Sequence, residues 1–418
     1  MSATAPAPVE PSAASPGGAA GTGEGLGAYA RRWWTGVRAG DLGSLPIVVG
    51  LVIIAVIFQS KNSQFLTAGN LVNLMVQAAA YTTIAMGVVF VLLLGEIDLS
   101  IGYVSGVAGC IVALLTLPGG KYEYAAGPAL VLALLAGLAI GILQGLIITK
   151  VGVPSFVVTL AGLLGWNGVV LLLIGNQGTV IIQSTFLVGF ANDFIPKSTS
   201  WILAIATILF YAGLLFFQRT QRRRAGLDTV PDSLLALRVG GLAVAAIVVV
   251  YVANQDRGVP YVFLVLAGLY LFWTYILNRT RFGRHVYAVG GNQEAARRAG
   301  INVDRVKIAC FAICSMMAAL GGIVLASRLR SVDTGAGGGS ILLYAIAAPV
   351  IGGTSLFGGR GNVKSAILGA LVITSIDNGL GLLGLSAGTK FVITAGVLLL
   401  AVTVDSVARK GRASAGRA

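Results

Sequence analysis

Residues 71–95 read LVNLMVQAAAYTTIAMGVVFVLLLG, a run without a single Asp, Glu, Lys or Arg. A helix needs about 20 predominantly apolar residues to cross the hydrocarbon core of a bilayer, so this run predicts a membrane-spanning helix. The rest of the chain agrees, because 56% of its 418 residues are hydrophobic, 11% are charged and the mean hydropathy is +0.88. These values exclude a soluble globular protein and predict an all-α polytopic membrane protein.

Apolar segments recur along the chain and predict about 10–12 transmembrane helices. Residues 1–44 are rich in Ala, Pro, Gly and Ser and are expected to form a disordered cytoplasmic tail. Residues 45–408 are expected to form the transmembrane domain, and residues 409–418 a cytoplasmic C-terminal tail. Segment 341–353 is short, so the sequence leaves open whether it spans or re-enters. The segments lie at about 45–59, 71–95, 101–117, 128–149, 154–175, 201–217, 239–254, 261–277, 307–326, 341–353, 363–380 and 390–405.

The basic residues predict the orientation of these segments. If all twelve cross and the N-terminus is cytoplasmic, 22 of the 29 Lys and Arg residues fall in cytoplasmic loops or tails. This excess predicts that both termini are cytoplasmic. It also accounts for the net charge of +14 without a nucleic-acid partner.

One polar stretch, residues 290–300 (GGNQEAARRAG), interrupts the apolar pattern. Asn292 is a suitable N-cap, Glu294 falls in the first turn, Arg297 and Arg298 fall in the last turn, and Gly300 suits a left-handed C-terminal position. The stretch predicts a short helix. The local sequence leaves two interpretations open, a helix that docks on a cytoplasmic partner and a capped, solvated connector.

Residue types that support catalysis or metal binding are scarce. The three cysteines lie in apolar segments, and His285 has no nucleophile or carboxylate near it in sequence. The glycine-rich stretch 352–361 lacks the Gly-Lys-Ser/Thr ending of a phosphate-binding loop and is interpreted as a turn. The sequence therefore predicts no catalytic residue, no metal site, no cofactor and no ATP hydrolysis by this chain.

Polar residues in or beside the apolar segments are candidates for a translocation path or gate. Glu96 and Asp98 form either a gate or a partner for a cationic loop, or they are boundary residues with Asp98 capping the next helix. Asp377, Asn378 and Gly379 predict a turn near the outer face. Neutral polar groups beside aromatic rings suit sugar hydroxyls, although hydrogen bonding between helices explains them equally well. The candidates are Gln77, Tyr81, Glu96, Asp98, Trp166, Asn167 and Asn378.

Several motifs together resemble one family, the permease subunits of bacterial ABC importers for monosaccharides, in the ribose/xylose/galactose branch. They are GEIDLSIG (95–102), VPSFVVTLAG (153–162), the loop 290–303, IGGTSLFGG (351–359) and SIDNG (375–379). The resemblance covers residues 45–408. An additional pair of segments at 201–217 and 239–254, and the stretch 254–260, are similar to the xylose type, so D-xylose is the expected sugar.

The resemblance implies a multi-pass protein of the bacterial cytoplasmic (inner) membrane. Its implied partners are separate ABC ATPase subunits, an extracytoplasmic sugar-binding protein and a second permease copy.

The chain departs from the family pattern at one place, because many relatives carry two acidic residues at the positions that Leu342 and Tyr344 occupy here. An ATP-independent secondary carrier or facilitator for a small polar solute is the alternative. The implied ATPase coupling helix comprises Asn292, Gln293, Glu294, Ala295, Ala296, Arg297, Arg298 and Gly300.

Overall fold

The structure is a computed structural model that describes residues 27, 31, 34–35, 44–120, 122–227, 229, 231–397, 399 and 403. The tail predicted over 409–418, and nearly all of the tail predicted over 1–44, lie outside the described residues. The elements, numbered in chain order, are α1 (Leu45–Lys61), α2 (Ala68–Leu93), α3 (Ile101–Leu115), α4 (Ala126–Leu146), α5 (Ser155–Ile174), β1 (Thr179–Ile181), α6 (Thr185–Asn192), α7 (Lys197–Arg224), α8 (Asp232–Asn254), α9 (Tyr261–Arg279), α10 (Arg281–Gly291), α11 (Gln293–Arg298), α12 (Val303–Leu329), β2 (Ser331–Asp333), α13 (Ile341–Ile351), α14 (Val363–Leu382) and α15 (Ala387–Val397).

The predicted all-α architecture is confirmed. Each of the twelve predicted apolar segments overlaps a helix, and for the last of them, 390–405, the helix is described as far as Val397. In the described part of the chain, eight helices are long and apolar enough to cross a bilayer, and α1, α3, α13 and α15 are shorter apolar helices. Within the described residues, strands β1 and β2 form a two-stranded antiparallel sheet in which Val180 lies opposite Val332.

The chain divides into two compact units. One contains residues 198–250, which form most of α7 and α8. Arg219 on α7 forms an ion pair with Asp232 at the start of α8. Both helices expose most of their apolar side chains, such as Phe210 and Val244, as lipid-facing helices do.

The other unit, residues 42–197 and 251–418, is organised around α2 and α12. Helix α12 packs against α2, α3 and α4, whereas α2 also contacts α9, α13 and α14. Nearly all side chains of α2 from Ala78 onward are buried. These two helices therefore form the core of the unit, whereas α5 packs on α3 and α1 packs on α14.

Small residues set the approach of α4 to α12. Gly137, Gly141 and Gly145 follow each other at four-residue intervals on one face of α4. A Cβ atom on Gly145 would lie 2.8 Å from the Cα of Ile308, and one on Gly141 would overlap the carbonyl oxygen of Phe311. Backbone contact of this kind is the usual basis of helix association in lipid, where exclusion of water contributes little.

Helix α13 is unusually short. Its eleven residues extend about 16 Å, roughly half of the hydrocarbon thickness. Pro349 lies within it, and the helix ends at the Gly352-Gly353 turn. Most of its residues are buried against α2 and α14, as expected of a half-helix that is surrounded by protein rather than by lipid.

Three sequence-based interpretations need correction. Asp377 and Asn378 do not form a turn, because both lie inside α14. Gly379 serves close packing there, since a Cβ atom would overlap the Phe58 ring of α1. Arg328 follows the predicted apolar segment 307–326, which would place it in a loop, but it lies in the last turn of α12.

Candidate functional site

Helix α11 forms where the polar stretch predicts it. The Asn292 side chain accepts a hydrogen bond from the backbone N–H of Ala295 at 2.9 Å. Gly300 has a φ of 83°, and its N–H donates to the carbonyl of Arg297 while the N–H of Ile301 donates to the carbonyl of Ala296. This pair of bonds is a Schellman motif, so the predicted caps at both ends are confirmed.

The side chains of α11 separate into one buried anchor and an exposed charged face. Ala296 is buried, whereas Glu294, Arg297 and Arg298 are each more than half exposed. Glu294 lies 3.5 Å from Arg297 and 3.3 Å from Arg298, so its carboxylate is shared between the two guanidinium groups. The helix thus presents alternating charge to solvent while one methyl group fixes it to the protein.

The amphipathic helix α10 supports α11, and the sequence analysis missed it. Val286 and Val289 are buried, while Arg281 and Arg284 are exposed. The Tyr287 hydroxyl donates to the carbonyl of Gly361 at 2.8 Å, and burial raises the pKa of this phenol. The apolar spacing of Phe282, Val286 and Val289 was the signal that could have revealed this helix.

Three backbone segments meet beneath α10. The N–H of Gly359 donates to the carbonyl of Leu93, the last residue of α2, at 2.8 Å. Gly290 lies so close to the same carbonyl that a Cβ atom would overlap it. The end of α10, the end of α2 and the link 352–362 are therefore in direct backbone contact.

An ion pair joins α12 to the link between α2 and α3. The ammonium group of Lys307 lies 2.6 Å from Glu96 Oε1, and both side chains are largely buried. Ser155, at the start of α5, donates to Glu96 Oε2 at 2.5 Å. Glu96 thus pairs with a cation, but Lys307 lies within helix α12 rather than in a cationic loop.

Asp98 occupies a different environment from Glu96. Its Oδ1 accepts hydrogen bonds from the backbone N–H and hydroxyl of Ser100 at 2.9 and 2.6 Å, whereas its buried Oδ2 has no partner in the described residues. Burial raises the pKa of Asp98 to about 6, and the bonds from Ser100 oppose that shift. Asp98 does not cap α3 in the predicted way, because Ser100 is the N-cap residue.

Trp166 lies beside this same network and away from Gln77 and Asn378. Ser100 also bonds Gln144 on α4 at 2.8 Å. Gly162 on α5 has no side chain, and a Cβ atom there would meet Gln144, Ser100 and the Trp166 indole nitrogen. Asn167 follows on α5 and is partly buried. These residues therefore belong to the contact of α5 with α3 and α4.

A polar stripe runs along α2 and faces α14. Asn70, Gln77 and Tyr81 are spaced by seven and four residues, which places them on one face of the helix. Asn378 of α14 exchanges side-chain hydrogen bonds with Asn70 at 2.9 and 3.0 Å and donates to Gln77 at 3.3 Å. Gln77 and Asn378, predicted separately, are thus brought together, and Asn70 is an addition that the sequence analysis missed.

The stripe continues toward the middle of α2 at Tyr81. The Tyr81 and Tyr344 rings meet edge to face, with centroids 5.4 Å apart. Tyr344 in turn donates to Asp377 Oδ1 at 3.4 Å, one residue before Asn378. The internal polar surface consequently combines amide, phenol and carboxylate groups from α2, α13 and α14. It offers hydrogen-bond donors and acceptors, and the described residues contain no cluster of three or more potential metal ligands.

Comparison with known proteins assigns this arrangement to a class. The family model described as branched-chain amino acid transport system / permease component matches residues 70–402, so the chain belongs to this permease family. It is 35% identical to the xylose transport system permease protein XylH of Escherichia coli K12 over 378 residues, covering 90% of this chain and 95% of that protein. The XylH protein of Haemophilus influenzae is also 35% identical, over 88% of this chain and 98% of its own length.

A ribose permease is also similar. The ribose import permease protein RbsC of E. coli K12 is 31% identical over 90% of this chain and 97% of its own length. No solved structure matches the chain. These relatives confirm the resemblance that the motifs predicted, and the match extends through the polar stripe and α11.

Proposed function

We propose that this chain is the membrane-spanning subunit of an ATP-driven importer that carries a monosaccharide, D-xylose. The main support for a monosaccharide as the substrate is the similarity to xylose and ribose permeases along nearly their full lengths. The internal surface is compatible with such a substrate, because its amide, phenol and carboxylate groups can exchange hydrogen bonds with hydroxyls of a neutral polyol. The chemistry of ATP hydrolysis belongs to a separate ABC ATPase subunit.

Helix α11 is proposed as the element that docks on this ATPase. Its geometry supports the role, because a partner can contact the exposed Glu294, Arg297 and Arg298 without displacing the buried Ala296. From α11 the chain enters α12, where Lys307 and Asp304 pair with Glu96 and Lys150. A push on α11 would therefore reach α2, the α2–α3 link and the segment that follows α4 through short, direct contacts.

The stripe of Asn70, Gln77, Tyr81 and Asn378 is proposed as part of the translocation path. Polar side chains in the interior of a membrane protein are costly and commonly mark a substrate route. Glu96 is proposed as part of the gate at the far end of α2, whereas Asp98, Trp166 and Asn167 are proposed to control how α5 moves against α3. Rigid-body rearrangement between two packings would expose the stripe to each side in turn.

The remaining partners and the orientation are also proposals. A sugar-binding protein would deliver the substrate at the end that contains β1, β2 and α6. A second copy of the chain would complete the importer, and the α11 end would face the cytoplasm with both termini on that side. The distribution of Lys and Arg supports this orientation.

Transport in proteoliposomes tests the proposed function. We expect uptake of radiolabelled D-xylose to require this chain, its ATPase, its binding protein and ATP on the ATPase side. An ATPase variant that binds ATP but does not hydrolyse it is the matched control. Uptake by this chain alone would instead establish the facilitator alternative. Competition with unlabelled ribose and glucose would rank the sugars.

The docking role of α11 has a separate test. Glu294→Arg places a third positive charge on the helix and removes the carboxylate from its first turn, so we expect weaker association with the ATPase. Co-purification from membranes measures this effect, and Glu123→Arg, at an exposed site in another link, is the control. Unchanged recovery of the ATPase with Glu294→Arg would contradict the assignment.

A further inference from the structure

Two charged side chains lie near the paired tyrosines without forming an ion pair with each other. Arg328, in the last turn of α12, makes no hydrogen bond or ion pair with any described residue, and Asp377 receives only the 3.4 Å bond from Tyr344. Both charges are nevertheless close enough to act on the Tyr81 hydroxyl. Arg328 and Asp377 are each only partly exposed. A charge inside a membrane protein is costly unless it has a polar partner, so each of these two groups calls for a further one.

A further polar group at the same place also lacks a partner. The Thr394 hydroxyl of α15 lies close to Tyr344, is buried and meets no partner at hydrogen-bonding geometry in the described part of the chain. Buried hydroxyls are normally hydrogen-bonded to protein, water or ligand. Two independent features, the separated charges and this hydroxyl, therefore point to an additional occupant.

The chemistry of these groups specifies what the occupant must be. An isolated Arg would favour an anion and an isolated Asp a cation, but together their charges cancel and favour a neutral molecule. Arg328 supplies only donors, Asp377 only acceptors, and the tyrosine and threonine hydroxyls supply both. The rings of Tyr81 and Tyr344 add apolar surface for the C–H face of a sugar ring.

We infer that Tyr81, Arg328, Tyr344, Asp377 and Thr394 form a binding subsite for a neutral monosaccharide at the inner end of the polar stripe. We call it the tyrosine subsite. This inference rests on the proposed function and adds four residues from four further helices to the single residue, Tyr81, that sequence reasoning selected. In this conformation Tyr344 and Thr394 are buried whereas Tyr81, Arg328 and Asp377 are partly exposed, so a rearrangement of α13 or α15 is needed before a sugar can reach all five residues.

Binding to the permease alone provides the first test, with D-xylose as the probe. We expect saturation-transfer NMR signals from D-xylose on the full chain in lipid nanodiscs. Asp377→Asn and Arg328→Gln each remove one charge-assisted hydrogen bond, which corresponds to about tenfold weaker binding. Tyr344→Phe keeps the ring and should fold normally while losing one hydroxyl. Asp333→Asn and Arg330→Gln, charged positions nearby but outside the subsite, should bind D-xylose like the unmodified chain.

Transport by the complete importer provides the second test. We expect uptake by Asp377→Asn and Arg328→Gln to fall about tenfold, while ATP hydrolysis stimulated by the loaded binding protein persists. Unchanged binding and uptake in these variants and in Tyr344→Phe would overturn the subsite and leave the importer function standing. If the variants abolish D-xylose binding but the unmodified chain supports no ATP-driven uptake, the subsite is supported and the proposed function is overturned. Absence of D-xylose binding to the unmodified chain would overturn the subsite.

Discussion

Glu96 shows how a single carboxylate can join three helices. Its two oxygens take different donors, Lys307 from α12 and Ser155 from α5, while its backbone belongs to the link after α2. Because both members of the ion pair are mostly shielded from water, each depends on the other for compensation of its charge. The more exposed pair of Lys150 and Asp304 depends on its partner much less.

A double-mutant cycle measures this dependence. We expect Glu96→Gln and Lys307→Met each to lower the free energy of unfolding by about 2 kcal/mol, because each leaves a partly buried charge without its partner. The double variant should lose less free energy of unfolding than the two single variants lose in sum. Thermal unfolding in detergent provides the measurement, and Asp304→Asn is the control, expected to have a small effect. Additive losses would show that Glu96 and Lys307 act independently.

Gly300 is a second position where one residue controls local structure. No atom would contact an added Cβ, so the cost of substitution comes from its φ of 83° alone. We expect Gly300→Val to destabilise the end of α11 by about 1–2 kcal/mol and Gly300→Asn to cost less, because Asn tolerates the left-handed region. Thermal stability and recovery of the ATPase should follow the same order. Equal effects of Val and Asn would argue that the left-handed cap contributes nothing.

At the scale of elements, the contact of α4 with α12 depends on the absence of side chains. A methyl group at Gly141 would overlap the Phe311 carbonyl oxygen and lie 2.7 Å from the Ala312 Cα, and neither backbone atom can rotate away. We expect Gly141→Ala to separate the helices and cost about 1–3 kcal/mol. Gly127 is a matched control on the same helix, because nothing lies within 4 Å of its added Cβ. A melting temperature for Gly141→Ala that equals that of Gly127→Ala would contradict this account.

The sequence predicted where the helices lie better than it predicted which residues of different helices contact each other. Lipid-length apolar runs identify individual spans because each satisfies its own backbone hydrogen bonds. The pairing of Glu96 with Lys307 could not be located, since 211 residues separate them. Asp377 and Asn378 were assigned to a turn because polar residues usually interrupt an apolar helix, yet here α2 and α13 supply their partners. The α11 caps were predictable because their hydrogen bonds are local.

At the scale of the whole molecule, the orientation in the membrane is the prediction most open to measurement. Ser63, between α1 and α2, and Ala299, after α11, are both exposed, and the three native cysteines are buried. We expect a membrane-impermeant maleimide to label Ser63→Cys in spheroplasts and Ala299→Cys only in inside-out vesicles. The unmodified chain measures the background from native cysteines. The reverse labelling pattern would contradict cytoplasmic termini.

The short helix α13 has a consequence for biosynthesis. An eleven-residue segment extending about 16 Å is too short to leave the insertion machinery as an independent span. Its packing surface is supplied by α2, which is made early, and by α14, which is made immediately afterwards. We therefore expect α13 to reach its final position only after α14 has been made. A chain that ends before α14 would leave Tyr344 without Asp377, one of its two neighbours in the polar interior.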